Sequence, residues 1–233
     1  MYIYCLRLNN EIDRNVIDKL LKLVDYEKKI SILKYKKTQD MQNSLFSNLL
    51  AKYLIHKIYD IKFDKIKFRY NDYGKPLIDS SDEIYFNVSH SNCYVVCALD
   101  TNPIGIDIEK IADIDLKIAD RFFTKEECNY INLNELDKIE RFYEIWTMKE
   151  SYIKTIGMGL SIPLNSFSVI SDQSVTWYNN QKYFFYKLNI DLQYKMSVCS
   201  LNINENVSIF YIEKDDLINA LLKLMEELDW KNY

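Results

Sequence analysis

Along the chain the spacing of apolar positions changes four times, and each change marks a different element. Residues 2–8 alternate apolar and β-prone side chains with a period of two, which predicts a strand. From residue 11 to 59 the period lengthens to that of a helix. Ile17, Leu20, Leu21 and Val24 share one face of a first helix, and Leu45, Leu49, Leu50, Tyr53 and Leu54 share a face of another. Residues 66–70 read as a strand closed by a turn at Asn71-Asp72-Tyr73-Gly74. Three strand candidates follow at 84–88, 94–99 and 104–109. A helical stretch then includes 124–132, where Thr124 is placed as N-cap and Glu127, three residues on, completes a capping box. A long helix over 137–156 stops at Gly157, a residue suited to a C-terminal cap. Strands near 167–170, 183–188, 196–201 and 207–212 and a helix over 215–228 complete the chain. This order predicts an α+β protein built as two halves of about equal size, 1–102 and 103–233. The duplication is read from element order, since no internal sequence repeat accompanies it.

Composition narrows the class. Of 233 residues, 48% are hydrophobic and 27% charged, the balance of a soluble globular protein. A formal charge of −4 argues against a general nucleic-acid binder, which needs a dominant basic face. The five cysteines form an odd set; Cys93 and Cys97 have no second half-site, and the histidines are only His56 and His90. Free thiols in a reducing cytoplasm are therefore expected. The N-terminus lacks the basic and apolar regions of a signal peptide, and no window has the roughly 18 apolar residues of a membrane span. A soluble, cytoplasmic protein is the expectation.

Three constellations carry candidate chemistry. In Ile104-Gly105-Ile106-Asp107-Ile108-Glu109, strand alternation turns the three isoleucines inward and places Gly105, Asp107 and Glu109 on the other face. Asp107 and Glu109 then stand about 6.5–7 Å apart. Neighbouring carboxylates repel unless a cation or strong donor lies between them, and Mg²⁺ accepts such a pair while keeping sites for water and phosphate oxygens. Two solvated acids on an exposed face are the competing reading.

The second constellation is Trp146-Thr147-Met148-Lys149-Glu150-Ser151-Tyr152-Ile153-Lys154. As i,i+4 helix neighbours, Glu150 and Lys154 can be read as a surface pair of about 0.3–0.5 kcal/mol. However, Phe142, Ile145, Trp146, Ile153 and Ile156 form an apolar stripe that contains Lys149, and a lysine there must be paired, snorkelling or functional. Glu150 and Lys154 border that stripe, where a helix meets a cleft. The third is Tyr73-Gly74-Lys75-Pro76 with Asn87-Val88-Ser89-His90-Ser91, whose small donors after turns suit phosphate. A structural hydrogen-bonding role for His90 is the alternative. Neither G-x-x-x-x-G-K-[ST] nor G-x-G-x-x-G occurs.

These segments resemble the surfactin-synthetase-activating (Sfp) type of 4′-phosphopantetheinyl transferase. The likeness also takes in Phe122-Phe123-Thr124-Lys125-Glu126-Glu127 and Gly157-Met158-Gly159-Leu160. Its most specific part is G-[IV]-D followed after about forty residues by W-x-x-K-E-[SA]-x-x-K. The resemblance implies a pseudo-dimer of two similar α+β halves with the active site between them, acting as a monomer. It implies transfer of the phosphopantetheine arm of coenzyme A to a serine of an apo acyl or peptidyl carrier protein, with release of 3′,5′-ADP, in nonribosomal peptide or polyketide biosynthesis. Asp107, Glu109 and Glu150 would hold Mg²⁺, or Mn²⁺. Glu150 would act as base, with Asp107, Lys154 and His90 completing the catalytic set. Lys28, Ser44, Lys75, Pro76, Ser89, His90 and Lys154 would bind coenzyme A.

The chain departs from the pattern in two places. The segment from Ile30 through Ser31 to Lys37 lacks the arginines common there, and Met158 replaces a frequent lysine. Because both chain and carriers are acidic, docking would use a local patch, for which Phe122, Phe123 and Lys125 are candidates. Two other classes share these features. A Mg²⁺-dependent hydrolase of coenzyme A or another nucleotide pyrophosphate would consume coenzyme A without a carrier. A non-catalytic coenzyme A- or carrier-binding homologue would bind without turnover.

Overall fold

A strand apolar at every position needs cover on both faces, and residues 94–100 are buried throughout. How the chain supplies that cover is seen in a computed structural model, which describes residues 1–79, 83–170, 175–178, 181–203 and 207–229. The first half gives β1 (Tyr2–Arg7), α1 (Arg14–Leu20), α2 (Tyr26–Leu33), α3 (Thr38–Tyr59) and the short hairpin β2 (Phe68–Tyr70) and β3 (Pro76–Ile78). It closes with β4 (Tyr85–Ser91) and β5 (Tyr94–Asp100). The second gives β6 (Ile104–Lys110), α4 (Lys117–Phe122), α5 (Lys125–Ile131), α6 (Lys138–Ile156), β7 (Val175–Tyr178), β8 (Gln181–Leu188) and β9 (Tyr194–Ser200). β10 (Ile209–Ile212) and α7 (Lys214–Asp229) follow.

The topology repeats. In the first sheet β1 pairs antiparallel with β5, and β5 with β4; in the second, β6 pairs antiparallel with β9, and β9 with β8. Each half is thus a strand, a long helix and a hairpin, with the lone strand beside the hairpin's last strand. The sheets pack against each other through Ile3, Val96 and Ala98 on one side and Ile104, Ile106, Ile108 and Val198 on the other. α3 backs the first sheet with Leu45, Leu49 and Leu50, and α6 backs the second with Phe142, Ile145 and Tyr152. Where the sheets meet, β4 and β6 run side by side, bridged by Asn87, Ser89 and Ser91.

Several expectations change. The first helix ends at Leu20, and Leu21 and Val24 are buried beyond it. Residues 167–170 are not a strand: the Val169 amide donates to Glu127 Oε1 at 2.9 Å, and the neighbouring strand is instead β7. The last elements do not stay with the second half. β10 pairs parallel with β1, and Leu217, Ile218 and Leu221 of α7 join the first core, because β1 has an open edge and α1 an uncovered apolar side. The capping box at Thr124 and the left-handed cap at Gly157, φ 81°, are present.

Gly105 is where sheet and helix approach most closely. A Cβ there would run into the Ser151 carbonyl oxygen and the Thr155 amide nitrogen of α6. Gly105→Ala is therefore expected to cost about 1–3 kcal/mol by overpacking. At about 2–4 °C per kcal/mol, scanning calorimetry should show a fall of roughly 2–12 °C. An unchanged melting temperature contradicts this backbone contact.

Candidate active site

Because Gly105 lets α6 lie against β6, the next residues on the same strand face, Asp107 and Glu109, open beside Glu150 and Lys154 of α6. All four line one cleft of about 540 Å³ between the halves, together with Lys28, Ser44, Pro76, Ser89 and His90. Asp107 is almost wholly buried, which sets aside the reading of solvated surface acids. Its Oδ1 accepts from Lys154 Nζ at 2.6 Å and Ser89 Oγ at 2.8 Å, and Lys154 also donates to the Ile106 carbonyl at 3.2 Å. Glu109 Oε2 accepts from Ser91 Oγ at 3.0 Å.

The electrostatics follow from this crowding. Burial and then Asp107 push the Glu109 carboxyl up to about 7, against the Ser91 hydrogen bond and Lys154. Burial and then Asp107 raise Glu150 as well, with Lys154 opposing. His90, exposed at the cleft rim, is pulled down by the desolvating protein around it and then by Lys154, and Lys28 is lowered by burial.

A divalent cation fits this donor set. Among the described residues the buried Asp107 Oδ2 has no hydrogen-bond partner, and Glu109 and Glu150 both carry a like-charge cost that a cation would relieve. Among the described residues no three such side chains already converge as a metal cluster, since Asp107 turns to Lys154 and Glu109 to Ser91. The carboxylates would have to swing from those partners to enclose an ion.

The other expected ligands divide. Lys28 donates to Ser44 Oγ at 3.2 Å within the cleft, and His90 lines the same cavity, giving donors suited to an anion. Lys75 differs from expectation. Its ammonium donates to the carbonyls of Ile104 at 3.2 Å, Lys154 at 2.5 Å and Thr155 at 3.2 Å, so it holds the end of α6 rather than facing the cleft. Burial among carbonyls lowers it to about 8. Asn71 assists by donating to the Gly157 carbonyl at 2.7 Å.

Lys149, anomalous in an apolar stripe, is fully buried on the side of α6 away from the cleft. It meets Glu127 Oε2 at 2.8 Å and the carbonyls of Leu164 and Phe167 at 2.7 and 2.6 Å. Phe123 belongs to the surrounding core and is not a surface residue, because its ring packs on Phe142; Phe122 is half-buried and Lys125 exposed. The sequence reading missed Ser91 as the partner of Glu109, and Ser47 and Asn48 as cleft residues. For Ser47 and Asn48 the signal was a run of small polar residues within a helix of apolar pattern.

Residues 103–207 match the 4′-phosphopantetheinyl transferase superfamily, and residues 13–102 match the N-terminal family of 4′-phosphopantetheinyl transferase. The chain is 39% identical over 222 residues to the 4′-phosphopantetheinyl transferase gsp of Aneurinibacillus migulanus, covering 93% of each. It is 34% identical over 226 residues to the 4′-phosphopantetheinyl transferase Sfp of Bacillus subtilis, covering 94% of this chain and 100% of that one. A more distant likeness, 33% over 156 residues, joins it to the L-aminoadipate-semialdehyde dehydrogenase-phosphopantetheinyl transferase of Xenopus laevis, covering 60% and 52%.

Two outcomes follow from the site. Lys149→Met strands Glu127 as a buried charge and should cost about 3–5 kcal/mol in urea unfolding. Adding Glu127→Gln, which removes the charge but keeps an acceptor for only one of the Val169 and Thr124 amides, should recover part of that loss; no recovery would mean that the pair is not what matters. Glu109 has a folded value of about 7, above its ordinary value near 4.3. Its contribution to stability is therefore complete below pH about 4 and lost as pH rises through about 7. In EDTA, Glu109→Gln should melt above the wild type at pH 8, with the gap closing toward pH 4. A pH-independent gap would contradict the crowded-carboxylate reading.

Proposed function

Because the chain belongs to the 4′-phosphopantetheinyl transferase superfamily and is a transferase of that kind, we propose that its cleft binds coenzyme A and loads phosphopantetheine onto a carrier-protein serine. The observation that carries this reading is a single cavity with two chemical ends. Buried Asp107, whose Oδ2 has no partner among the described residues, lies beside Glu109 and Glu150, and Lys28, Ser44 and His90 line the same space.

Lys28, Ser44 and His90 bind the 3′-phosphate by charge and hydrogen bonding. Ser89 and the Gly74–Pro76 backbone bound the nucleotide, while Lys75 acts through α6. Lys154 moves from Asp107 to a pyrophosphate oxygen. Asp107, Glu109 and Glu150 would hold Mg²⁺ or Mn²⁺, which would supply Lewis-acid stabilisation of the pyrophosphate charge. Glu150, with its proton affinity raised by burial and Asp107, accepts the proton of the carrier serine. The serine oxygen bonds to the β-phosphorus as the bond to the departing 3′,5′-ADP oxygen breaks. Both ends of the cleft come from one chain, so the enzyme works as a monomer. The carrier docks near exposed Lys125 and half-buried Phe122. No described helix is long and apolar enough to cross a membrane.

The test is intact-protein mass spectrometry of apo carriers incubated with this protein, coenzyme A and Mg²⁺. The expected result is a gain of one phosphopantetheine, abolished by EDTA and slowed by about 10²–10⁴-fold in Glu150→Gln. Coenzyme A consumed with no carrier labelled would replace transfer by hydrolysis. Normal turnover in Glu150→Gln would remove that residue as the base.

A further inference from the structure

The two halves can be matched residue by residue, although no repeat is visible in the sequence. Arg7 of β1 faces Tyr94 of β5 as Lys110 of β6 faces Tyr194 of β9, and in the same register Tyr4 corresponds to Asp107. The long helices α3 and α6 both end on a left-handed residue, Asp60 at φ 54° and Gly157 at φ 81°. Alignment on these caps puts Tyr53 in the place of Glu150 and Lys57 in the place of Lys154. Tyr4, Tyr53 and Lys57 line one groove on the first half, as Asp107, Glu150 and Lys154 line the cleft. Strand register and helix cap therefore agree on one correspondence. That correspondence also pairs Lys52 of α3 with Lys149 of α6.

Both lysines are buried, at 3% and 0% exposure, and both hold a neighbouring connection by its backbone. Lys149 donates to the Leu164 and Phe167 carbonyls and lies 4.2 Å from the Phe167 ring; Lys52 donates to the Leu23 carbonyl at 3.1 Å and lies 5.0 Å from the Phe63 ring. Burial lowers the proton affinity of Lys52, a cost that an apolar side chain of the same length would avoid, which points to a use for the ammonium. Leu23 lies in the connection from α1 to α2, two residues before Asp25, the N-cap of α2. Of the eight residues of α2 only Ile32 is buried, so apolar packing of the helix itself orients it weakly. This is nevertheless the helix that brings Lys28 to Ser44 and the cleft. A cation on a lightly packed helix is placed only as firmly as that helix is anchored. Lys67 meets Asp25 at 2.9 Å, but that pair is largely exposed and therefore weak. The buried, charge-assisted bond from Lys52 is the firmer tether.

We propose that Lys52 is a positioning residue: through the Leu23 carbonyl it fixes the start of α2, and with it the Lys28 ammonium, without touching substrate. It does for α2 what its counterpart Lys149 does behind Glu150 and Lys154 on α6, so that a buried lysine on the long helix of each half steadies one end of the cleft. The proposal rests on the reading above that Lys28 binds the 3′-phosphate of coenzyme A.

Calorimetric binding of adenosine 3′,5′-bisphosphate and adenosine 5′-monophosphate isolates the 3′-phosphate without turnover. Lys52→Met keeps an unbranched stem beside Phe63 and removes the ammonium. It should weaken the bisphosphate by about tenfold and the monophosphate by less than about twofold. In a Lys28→Met background the same change should cost the bisphosphate less than about twofold, because its effect passes through Lys28. Lys52→Arg, which keeps a cationic donor, should bring bisphosphate affinity back to within about threefold of the wild type. In carrier loading, Lys52→Met should raise KM for coenzyme A by about tenfold and leave kcat within about twofold. Should Lys52→Met not fold, Lys52→Gln takes its place in the same cycle. Equal weakening of both nucleotides, or an undiminished effect in the Lys28→Met background, makes Lys52 a merely structural residue; that overturns the proposal and leaves the transferase reading intact. A wild type that binds both nucleotides equally overturns the 3′-phosphate reading together with the proposal. Selective weakening in a protein that loads no carrier sustains the positioning role and overturns only the transfer reaction.

Discussion

The close approach of α6 to β6 at Gly105 is the constraint on which the rest of the site depends. A strand and a helix separated by ordinary side chains would keep Glu150 and Lys154 too far from Asp107 to share a cavity. With no Cβ at Gly105, the helix backbone at Ser151 and Thr155 rests directly on the strand. Two residues further along the strand, Asp107 then meets Lys154 at 2.6 Å, and a buried carboxylate is satisfied on one oxygen by a charge from another element.

Such an approach must be held from more than one side. On the back of α6 the buried Lys149 ties the helix to Glu127 and to the carbonyls of Leu164 and Phe167. Glu127 in turn caps α5 through Thr124 and accepts from the Val169 amide. At the C-terminal end, Lys75 and Asn71 from the β2–β3 turn bind the last carbonyls of the helix and Gly157, joining the two halves beside the cleft. These contacts sit outside the cavity and fix its dimensions. Positioning by rigid elements is what a transfer reaction needs, since small misplacements of reacting groups reduce rate steeply.

The cavity concentrates negative charge from three carboxylates and disperses it only partly. Ser89, Ser91 and Lys154 satisfy some oxygens, while among the described residues Asp107 Oδ2 has no partner and Glu109 and Glu150 are held above their ordinary proton affinities. A cation and an anionic substrate entering together would relieve that imbalance, which agrees with the cationic and polar groups of Lys28, Ser44 and His90 in the same cleft.

Much of this was already determined by local pattern. The period-two alternation of Ile104 to Glu109 dictated which side chains face away from the core, and the capping box at Thr124 and Gly157 bounded their helices, because these are short-range properties of the backbone. The anomaly of Lys149 was visible as a charge in an apolar stripe. What the chain could not announce was every contact set by distant packing. Lys75 looked like a ligand for phosphate, yet it serves α6 because Ile104 of β6 and, about eighty positions away, Lys154 and Thr155 bring three carbonyls to its ammonium. The last strand and helix return to the first sheet because β1 offers an unpaired edge, and a hydrogen-bonding edge carries no mark in the sequence of its eventual partner. Likewise Ser47 and Asn48 read locally as ordinary helix residues, and only the folding of β2, β3 and β4 around α3 turns them toward a shared cavity.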